Sequence, residues 1–296
     1  MKEKPFSRNS QSLIKNRQFL APAKLNIRLK VKGRRADGYH ELVSIMVPVG
    51  LFDHLGVALI HPGRIMLSSQ GISVPDNGEN LVYRAAQAYL SKTGLSQGVS
   101  IELKKNIPVA AGLGGGSSDA ASTLKTLNEM CSNPLTFREL SDLAIDLGAD
   151  VPFFLHNRPC IVRGIGEVVE PLEEWPRFWY VIVMPPIEVS TAWVYRNLKL
   201  KLTREKQDYT IKSLKKGRFE IIHVLENDLE AVTGSHFPVI DKIKRCLVDA
   251  GAEGALMSGS GPSVFGVFKT KDKALLAQRH LLSKDLGKIF VVEGLS

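Results

Sequence analysis

Apolar and polar residues alternate along several stretches of the chain, with the two-residue period of a half-buried β-strand. The clearest stretch is Leu25–Val31, in which every second residue is aliphatic. Lys24 and Asn26 share the polar side of that strand, so the pattern predicts that both point away from the core. Val99–Leu103 alternates in the same way, and the apolar run Phe178–Met184 is typical of a buried strand.

Other stretches carry the period of three to four residues that is typical of amphipathic helices. Asn80 is placed to cap the first of them, and Gly148 is placed to end the third. The predicted helices are approximately Leu81–Tyr89, Ser117–Met130, Phe137–Leu147 and Pro238–Ala250. At 296 residues, the chain is long enough for two domains that share one active site.

The most informative stretch is Pro108–Ser122, PVAAGLGGGSSDAAS, in which four glycines fall between Gly112 and Gly116. A predicted strand leads into this glycine turn, and a predicted helix follows it. Glycine permits positive φ and lets a ligand approach main-chain N–H groups. A helix start directs its unpaired N–H donors and the positive end of its dipole at the same point. This order of elements therefore predicts an anion site, with phosphate as the most plausible anion.

Familiar phosphate-loop patterns do not describe the glycine turn. A Walker loop requires a Lys-Ser or Lys-Thr pair after its last glycine, and the G-x-G-x-x-G fingerprint fails from both Gly112 and Gly114. A flexible glycine hinge is the alternative interpretation. The serines at the helix start, where hydroxyls cap or coordinate, favour the phosphate site.

Three other stretches carry candidate chemistry. Gly33–His40, GRRADGYH, is a polar turn before the predicted strand Leu42–Val49. The turn either binds a planar ligand through the rings of Tyr39 and His40, or Tyr39 merely packs against the turn. Asp150 stands among apolar residues in GADVPFF; since an unpaired buried carboxylate is costly, it is exposed, hydrogen-bonded or held for catalysis. The second glycine-rich turn, Ser258–Ser263, is either a simple hairpin or a cover over the first.

Composition narrows the class of protein. A hydrophobic content of 44% and a charged content of 23% are ordinary for a soluble globular chain, and the longest apolar runs are too short to cross a bilayer. Three widely spaced cysteines without a C-x-x-C pair indicate free thiols in a reducing compartment, so we expect a cytoplasmic protein. The seven histidines form no H-E-x-x-H or comparable cluster, so we expect no histidine-built metal site.

The net charge of +9 suits an anionic small substrate, a nucleic acid or solubility alone. Much of the surplus lies in two basic clusters, Met1–Arg17 and Lys199–Arg218. Neither cluster is interleaved with several aromatic residues, as a single-strand binder requires. We therefore expect no nucleic-acid partner and no membrane association.

Six short motifs, in order and separated by short gaps, resemble the GHMP kinase superfamily. Individually they are weak or common to the superfamily, but PAKLN together with RADGYH and GADVPFF is specific to the member that phosphorylates a cytidyl diphosphate sugar alcohol. The motifs are APAKLN (21–26), RADGYH (35–40), the glycine turn, GADVPF (148–153), NDLE (227–230) and MSGSGP (257–262).

The resemblance implies ATP-dependent phosphorylation of the C2 hydroxyl of that substrate, in the non-mevalonate route to isoprenoid precursors. It also implies an α+β, two-domain GHMP kinase fold with a ribosomal protein S5 domain 2-like N-terminal domain, a ferredoxin-like C-terminal domain and the active site in the cleft between them. We place the N-terminal domain at residues 19–171 and the C-terminal domain at 172–296, after a basic extension at 1–18. Mg²⁺ should accompany ATP, and the oligomeric state stays open.

By this resemblance, Asp150 corresponds to the general base and Lys24 to the lysine beside it, so both should lie together at the glycine turn. Asn26 resembles a polar residue that orients the reacting hydroxyl. The resemblance places Tyr39, His40, Thr191 and Tyr195 at the cytidine, with the aromatic rings stacking on cytosine. Asn26 and Asp150 complete the implied substrate-binding residues. The implied ATP-binding residues are Pro108, Ala110, Ala111, Gly112, Leu113, Gly114, Gly115, Gly116, Ser117 and Ser118, with Asn80 and Lys105 near the adenine. No residue is a firm Mg²⁺ ligand, and Ser118 is only a candidate.

Other functions fit parts of the sequence. A homoserine or mevalonate kinase of the same superfamily should lack the aromatic residues on the cytidine side. A catalytically silent ligand sensor should lose the Lys24 and Asp150 pair, which this chain keeps. A basic RNA-binding protein should show strongly salt-dependent affinity without ATP turnover.

Overall fold

The computed structural model of the chain describes residues 16–61, 63–199 and 219–296. Of the two basic clusters, therefore, only Asn16, Arg17 and Lys199 fall within the described residues. The predicted helices and strands follow one another along the chain in the expected order, and the fold is of the α+β class.

The described strands form two sheets of seven and four strands. In chain order they are β1 (Asn16–Arg34), β2 (His40–Ile60), β3 (Ile65–Gly71), β4 (Gly98–Lys105), β5 (Cys160–Gly164), β6 (Val168–Pro171), β7 (Trp179–Met184), β8 (Glu226–Asn227), β9 (Gly254–Met257), β10 (Val264–Phe268) and β11 (Lys288–Glu293). The first sheet has the order β3-β4-β2-β1-β8, with β5 paired to β2 and β6 paired to β5, and the second has the order β11-β7-β10-β9.

The described helices pack on these sheets. In chain order they are α1 (Leu81–Thr93), α2 (Gly115–Met130), α3 (Phe137–Leu147), α4 (Val151–His156), α5 (Thr191–Asn197), a short 3₁₀ helix (Ile221–His223), α6 (Glu230–His236), α7 (Val239–Asp249) and α8 (Lys271–Leu282). Asn80 caps α1 by accepting the Val82 N–H at 2.9 Å, and the Gly148 N–H bonds to the Ala144 carbonyl at the end of α3. Both predicted helix boundaries are therefore confirmed.

β1 and β2 form a long antiparallel pair, and both strands extend well beyond the stretches that alternation predicts. The register shifts between Pro22 and Ala23 and between Asn26 and Arg28, and such bulges interrupt the period that a sequence scan follows. Residues 16–18, which the sequence assigns to the basic extension, are the first residues of β1. The length of β2 lets it pair with β4 through one half and with β5 through the other.

One apolar core lies between the first sheet and helices α1 to α4, where Tyr89, Leu124 and Phe153 are fully buried. A second core lies under α7 and α8, where Ile240 and Leu281 join residues of the second sheet. These two cores bury the apolar faces that the helical periods predict.

A third apolar cluster joins the two sheets, with Leu25 and Ile27 of β1 in the same cluster as Tyr180 of β7 and Phe265 of β10. The sheets change between β6 and β7, in the stretch where the sequence sets the domain boundary. The two halves are nevertheless interleaved, because the two-residue strand β8 pairs in parallel with β1 at Arg28 and Leu29. This shared core fixes the position of one sheet relative to the other.

The three cysteines are free thiols, in agreement with the sequence. In the part of the chain that the structure describes, no helix has both the length and the apolar character needed to cross a bilayer.

Candidate active site

The glycine turn adopts a backbone conformation that few other residues tolerate. Gly112 has φ +75° and Gly114 has φ +71°, both in the left-handed region. A Cβ on Gly112 would lie 2.2 Å from the carbonyl oxygen of Ser258, and one on Gly114 would lie 3.0 Å from Lys24. Ala111 and Leu113 alternate with these glycines and are buried in the cluster that joins the sheets. The apolar residues therefore anchor the turn and leave its glycines at the cleft.

Helix α2 begins inside the glycine turn without a capping side chain among the described residues. Its N-cap is Gly114, whose carbonyl accepts the Ser118 N–H at 2.9 Å. The N–H groups of Gly115, Gly116 and Ser117 precede that bond and have no intrahelical partner. Together with the positive end of the helix dipole, these donors have the arrangement that the sequence predicts for an anion site.

Lys24 on β1 and Asp150 at the start of α4 meet beside this turn. The Lys24 Nζ lies 3.3 Å from Oδ2 of Asp150, and it donates to Oδ1 of Asn26 at 2.5 Å. The Lys24 side chain is 5% exposed, whereas that of Asp150 is 37% exposed. The backbone N–H of Lys24 donates to the Leu113 carbonyl at 2.9 Å. The structure thus brings the predicted acid and amine together and ties them to the glycine turn.

The polar side of β1 points away from the apolar core and into the cavity, as the alternation predicts, but it does not face open solvent at this point. Lys24 is 4% exposed and Asn26 is 3% exposed. Alternation separates the two faces of a strand but does not say what covers each face. Here the glycine-rich turns cover the polar face. The Asn26 side chain is further fixed by donating to Ser44 Oγ at 2.8 Å, and that hydroxyl donates to the Arg28 carbonyl at 2.7 Å.

The second glycine-rich turn connects β9 to β10 and packs directly against the first. The Ser258 hydroxyl accepts the Asn26 N–H at 3.2 Å and donates to the Gly112 carbonyl at 2.9 Å. Asn227 holds this turn by donating to the carbonyls of Met257 and Gly259, both at 2.8 Å. The turn is therefore both a hairpin and a cover. Sequence reasoning marked the NDLE and MSGSGP motifs but missed these two positioning side chains.

A cavity of about 930 Å³ opens between these elements, a volume that suits a nucleotide-sized ligand. Ten of the predicted site residues line it: Lys24, Asn26, Tyr39, His40, Gly112, Gly114, Ser117, Asp150, Thr191 and Tyr195. The seven other predicted residues of the glycine turn do not line the cavity: Pro108, Ala110, Ala111, Leu113, Gly115, Gly116 and Ser118.

His40 and Tyr195 stack on each other in this cavity, with ring centroids 5.1 Å apart and planes inclined by 27°. Burial raises the pKa of Tyr195, and the nearby charge of Asp150 raises it further. Burial lowers the pKa of His40, and so does the charge of Arg34. Both rings are therefore neutral near pH 7 and form an aromatic surface for a planar base.

The other predicted substrate residues flank this pair. Tyr39 is 63% exposed on its turn. The Thr191 hydroxyl lies 2.7 Å from that of Ser260, which links α5 to the second glycine-rich turn. The cavity lining therefore joins β1, the turn before β2, α5 and both glycine-rich turns.

Lys105 does not reach the cavity, and its expected place beside the adenine is not supported. It is 3% exposed, and its ammonium donates to Asp53 and, at 2.7 Å, to Asp119. Asp53 also accepts the N–H groups of Asn106 and Ile107, at 2.6 and 2.8 Å. We call Asp53, Lys105 and Asp119 the buried triad. It lies under the glycine turn, because a Cβ on Gly115 would be 2.9 Å from the Lys105 Nζ.

Asn80 also lies outside the cavity lining. Its side chain is used in capping α1 and in donating to the Pro75 carbonyl at 2.7 Å. Its neighbour Leu81 would lie 3.6 Å from a Cβ on Gly116, so Asn80 is close to the outer side of the glycine turn. Its adenine contact stays a prediction.

The described residues contain no group of three or more His, Cys, Asp or Glu side chains that could hold a metal by themselves. Ser118, the candidate ligand, is fully buried, and its Oγ has no hydrogen-bond partner in the described part of the chain. Asp150 and Ser117 present oxygen atoms at the cavity. Such a set fits Mg²⁺ only as an ion that keeps water and phosphate among its ligands.

Comparison with known proteins matches both halves of the chain. The family model "GHMP kinases N terminal domain" covers residues 80–158, and "GHMP kinases C terminal" covers residues 210–286. A protein of Syntrophotalea carbinolica named 4-diphosphocytidyl-2-C-methyl-D-erythritol kinase is 46% identical over 93% of this chain and 98% of its own length. A protein of Geobacter metallireducens with the same name is 47% identical over 88% of this chain and 92% of its own length.

Solved structures agree in fold. A crystal structure of 4-(cytidine 5'-diphospho)-2C-methyl-D-erythritol kinase has a TM-score of 0.79 and 37% identity, and covers 95% of this chain and 100% of its own. A homoserine kinase from Cytophaga hutchinsonii has a TM-score of 0.75 over 96% of both chains, but at 22% identity it shows the fold alone. Over nearly its whole length, then, the chain belongs to the GHMP kinase superfamily and, within it, to the family of 4-diphosphocytidyl-2-C-methyl-D-erythritol kinases.

Proposed function

We propose that this kinase transfers the γ-phosphoryl group of ATP to the C2 hydroxyl of 4-diphosphocytidyl-2-C-methyl-D-erythritol, in the non-mevalonate route to isoprenoid precursors. The observation that carries the proposal is the Lys24–Asp150 pair, which opens into a cavity shared with the glycine turn. The names of relatives that are 46–47% identical support the substrate.

In the proposed reaction, the C2 oxygen attacks the γ-phosphorus while the bond to the β-phosphate oxygen breaks and ADP leaves. The hydroxyl proton passes to the Asp150 carboxylate, whose 37% exposure places it at the cavity surface. A positioned base of this kind contributes a factor of roughly 10²–10⁴ in rate. Phosphoryl transfer otherwise depends on positioning and on stabilisation of negative charge.

Lys24 is suited to stabilising the negative charge of the transferring group. Among the described residues, its ammonium has one carboxylate neighbour, Asp150 at 3.3 Å, and one amide acceptor, Asn26. When Asp150 takes up the hydroxyl proton, the charge of Lys24 is no longer paired and stabilises the transferring group. Asn26, held by Ser44 and Ser258, fixes the position of the lysine, which refines the hydroxyl-orienting role expected from the resemblance.

We propose that the N–H groups at the start of α2 bind the ATP phosphates. Mg²⁺ fits as an ion carried by those phosphates, where it would neutralise their charge, with Asp150 or a serine hydroxyl of the turn as its protein ligand. The cytosine would lie against His40 and Tyr195, the stacked neutral rings, with exposed Tyr39 at the edge. The three free thiols support the cytoplasm as the location.

The direct test measures ADP formation with ATP alone, with the cytidyl diphosphate substrate and with homoserine. We expect turnover only with the cytidyl diphosphate, and we expect the product to carry a phosphate at C2. Turnover of homoserine without turnover of the cytidyl diphosphate would replace this proposal with another kinase of the superfamily.

A further inference from the structure

Two neighbouring arginines in the turn before β2 have different surroundings. Arg35 lies near three carboxylates, those of Asp37, Glu41 and Glu167, at 3.0, 3.7 and 4.0 Å. Arg34 has no carboxylate within salt-bridge distance among the described residues, and it lines the cavity, whereas Arg35 does not. The charge of Arg35 is thus already compensated, and that of Arg34 is directed at the ligand site.

Arg196 on α5 resembles Arg34 in this respect. It lines the same cavity and has no carboxylate partner in the described part of the chain. It follows Tyr195, whose ring stacks on His40, while Arg34 is close enough to His40 to lower the pKa of that ring. The two arginines therefore belong to the end of the cavity that holds the stacked rings.

Within the part of the chain that the structure describes, each guanidinium makes one hydrogen bond, through its Nε. The Arg34 Nε donates to the Gly38 carbonyl at 3.4 Å, and the Arg196 Nε donates to the Ala192 carbonyl at 3.2 Å. An arginine has five N–H donors, so the donors on both Nη atoms of each side chain stay available. Fixing Nε orients the planar group before a ligand arrives, which reduces the entropy lost on binding.

The charged side chains of the cavity lining carry more positive than negative charge. Asp150 is matched by Lys24, which leaves Arg34 and Arg196 as uncompensated charges in that lining, next to a neutral His40. Phosphate oxygens are the natural partners of a guanidinium, which can bind them in a bidentate way. A cytosine on the stacked rings would have its diphosphate in the same cavity as these two guanidinium groups.

We propose that Arg34 and Arg196 bind the diphosphate of the acceptor substrate and thereby make the kinase specific for a nucleoside diphosphate over the bare nucleoside. This inference rests on the proposed function and deepens it, because it assigns the diphosphate to two residues that sequence reasoning did not single out. ATP is the other source of phosphates, so the test must separate the acceptor from ATP.

The experiment measures the affinities of the full chain for CDP, cytidine and ADP by calorimetry, in the wild type, Arg34→Gln, Arg196→Gln and the double variant. The readout is the ratio of the CDP affinity to the cytidine affinity, which cancels any general disturbance of the cytidine site. We expect each single variant to lower the ratio about fivefold, the upper end for an exposed ion pair, and the double variant to lower it further. The affinities for cytidine and ADP should change little.

Arg35→Gln is the matched control, since it removes the same charge from the same turn but outside the cavity. Its ratio should equal that of the wild type. Raising the salt concentration should lower the wild-type ratio and leave that of the double variant nearly constant, because screening acts on the charged contacts.

An unchanged ratio in the double variant, or an equal fall in Arg35→Gln, would overturn the inference while leaving the proposed function intact. A loss of ADP affinity with an unchanged ratio would assign the arginines to ATP instead. If the wild type binds neither CDP nor cytidine, the cytidine site is absent, and the proposed function fails together with the inference.

Discussion

Two lysine–aspartate clusters flank the glycine turn, and they differ in nearly everything but residue type. A Cβ on Gly114 would meet Lys24, and a Cβ on Gly115 would meet Lys105, at 3.0 and 2.9 Å. In the described ranges of the chain, Lys24 pairs with one carboxylate, that of Asp150, which is 37% exposed at the cavity. Lys105 is enclosed with Asp53 and Asp119, and none of these three side chains is more than 3% exposed. The buried triad thus supports the glycine turn from beneath, whereas the Lys24–Asp150 pair lies beside the turn at the cavity.

The charges of the buried triad balance internally. The pKa of Asp119 is raised to about 8, chiefly by burial; Lys105 opposes this shift and the charge of Asp53 adds to it. One ammonium, one carboxylate and one carboxylic acid form a neutral set, which is the least costly way to bury three ionisable groups. Such a set has no charge left for a phosphate. The comparison shows that exposure and partner count, not residue type, separate a lysine that can act on a substrate from one that holds the backbone.

The largest effect should come from the Lys24–Asp150 pair. Asp150→Asn removes the proton acceptor and keeps the shape, so we expect kcat to fall by roughly 10²–10⁴ while ATP affinity and thermal stability stay near wild type. Steady-state kinetics, titration with ATP in the absence of acceptor, and thermal unfolding measure the three quantities. Near-normal turnover would remove Asp150 from the role of base.

Lys105→Met tests the buried triad. It leaves the carboxylates of the buried triad without their cation, and breaking such a pair typically costs about 3–5 kcal/mol in free energy of unfolding. Urea unfolding should show this loss. Lys24→Met is the matched control, and we expect it to lose activity with a much smaller change in the unfolding midpoint. Equal stability losses in the two variants would erase the distinction between the clusters.

Gly112→Ala and Gly116→Ala separate the two kinds of glycine in the turn. Alanine at 112 would occupy left-handed backbone, at about 1–2 kcal/mol, and its Cβ would also meet the Ser258 carbonyl at 2.2 Å. Alanine at 116 meets only Leu81, at an ordinary 3.6 Å. Urea unfolding should therefore show a loss for the first variant and little change for the second. A comparable loss in both would mean that the contact between the two glycine-rich turns is unimportant.

The last prediction concerns pH and isolates Asp119. Because its pKa is about 8 in the folded protein and near 3.8 without burial, the folded state keeps a proton that the unfolded state releases between about pH 4 and pH 8. The contribution of Asp119 to stability is therefore fully present below pH 4 and declines as the pH rises through this window. Asp119→Asn keeps an acceptor for Lys105 and removes the titration. The difference in unfolding midpoint between the two proteins at pH 5, 6, 7 and 8 should change steadily, and a constant difference would contradict the raised pKa.

Several parts of the site follow from local sequence. The order of strand, glycines and helix predicts the phosphate site, and the capping role of Asn80 is read from its position before an amphipathic stretch. These features depend on backbone geometry over a few residues, which the residue types dictate. The exposure of Lys24 and the role of Lys105 were not accessible in this way, since Lys24 is covered by the glycine-rich turns and Lys105 is neutralised by carboxylates of β2 and α2.

Taken alone, the amino-acid sequence predicted where an anion site would form and which helices and strands flank it, because φ restrictions, caps and hydrophobic periods act locally. Its motifs also carried the resemblance to the superfamily to which the chain belongs. The tertiary structure alone decided that Ser258 links the two glycine-rich turns and that Asn227 holds the second. It also decided that Lys105 is buried beneath the glycine turn, and that Arg34 faces the cavity while Arg35 does not. The physical reason is that desolvation and ion pairing depend on which groups meet in space, and those partners are separated by long stretches of chain.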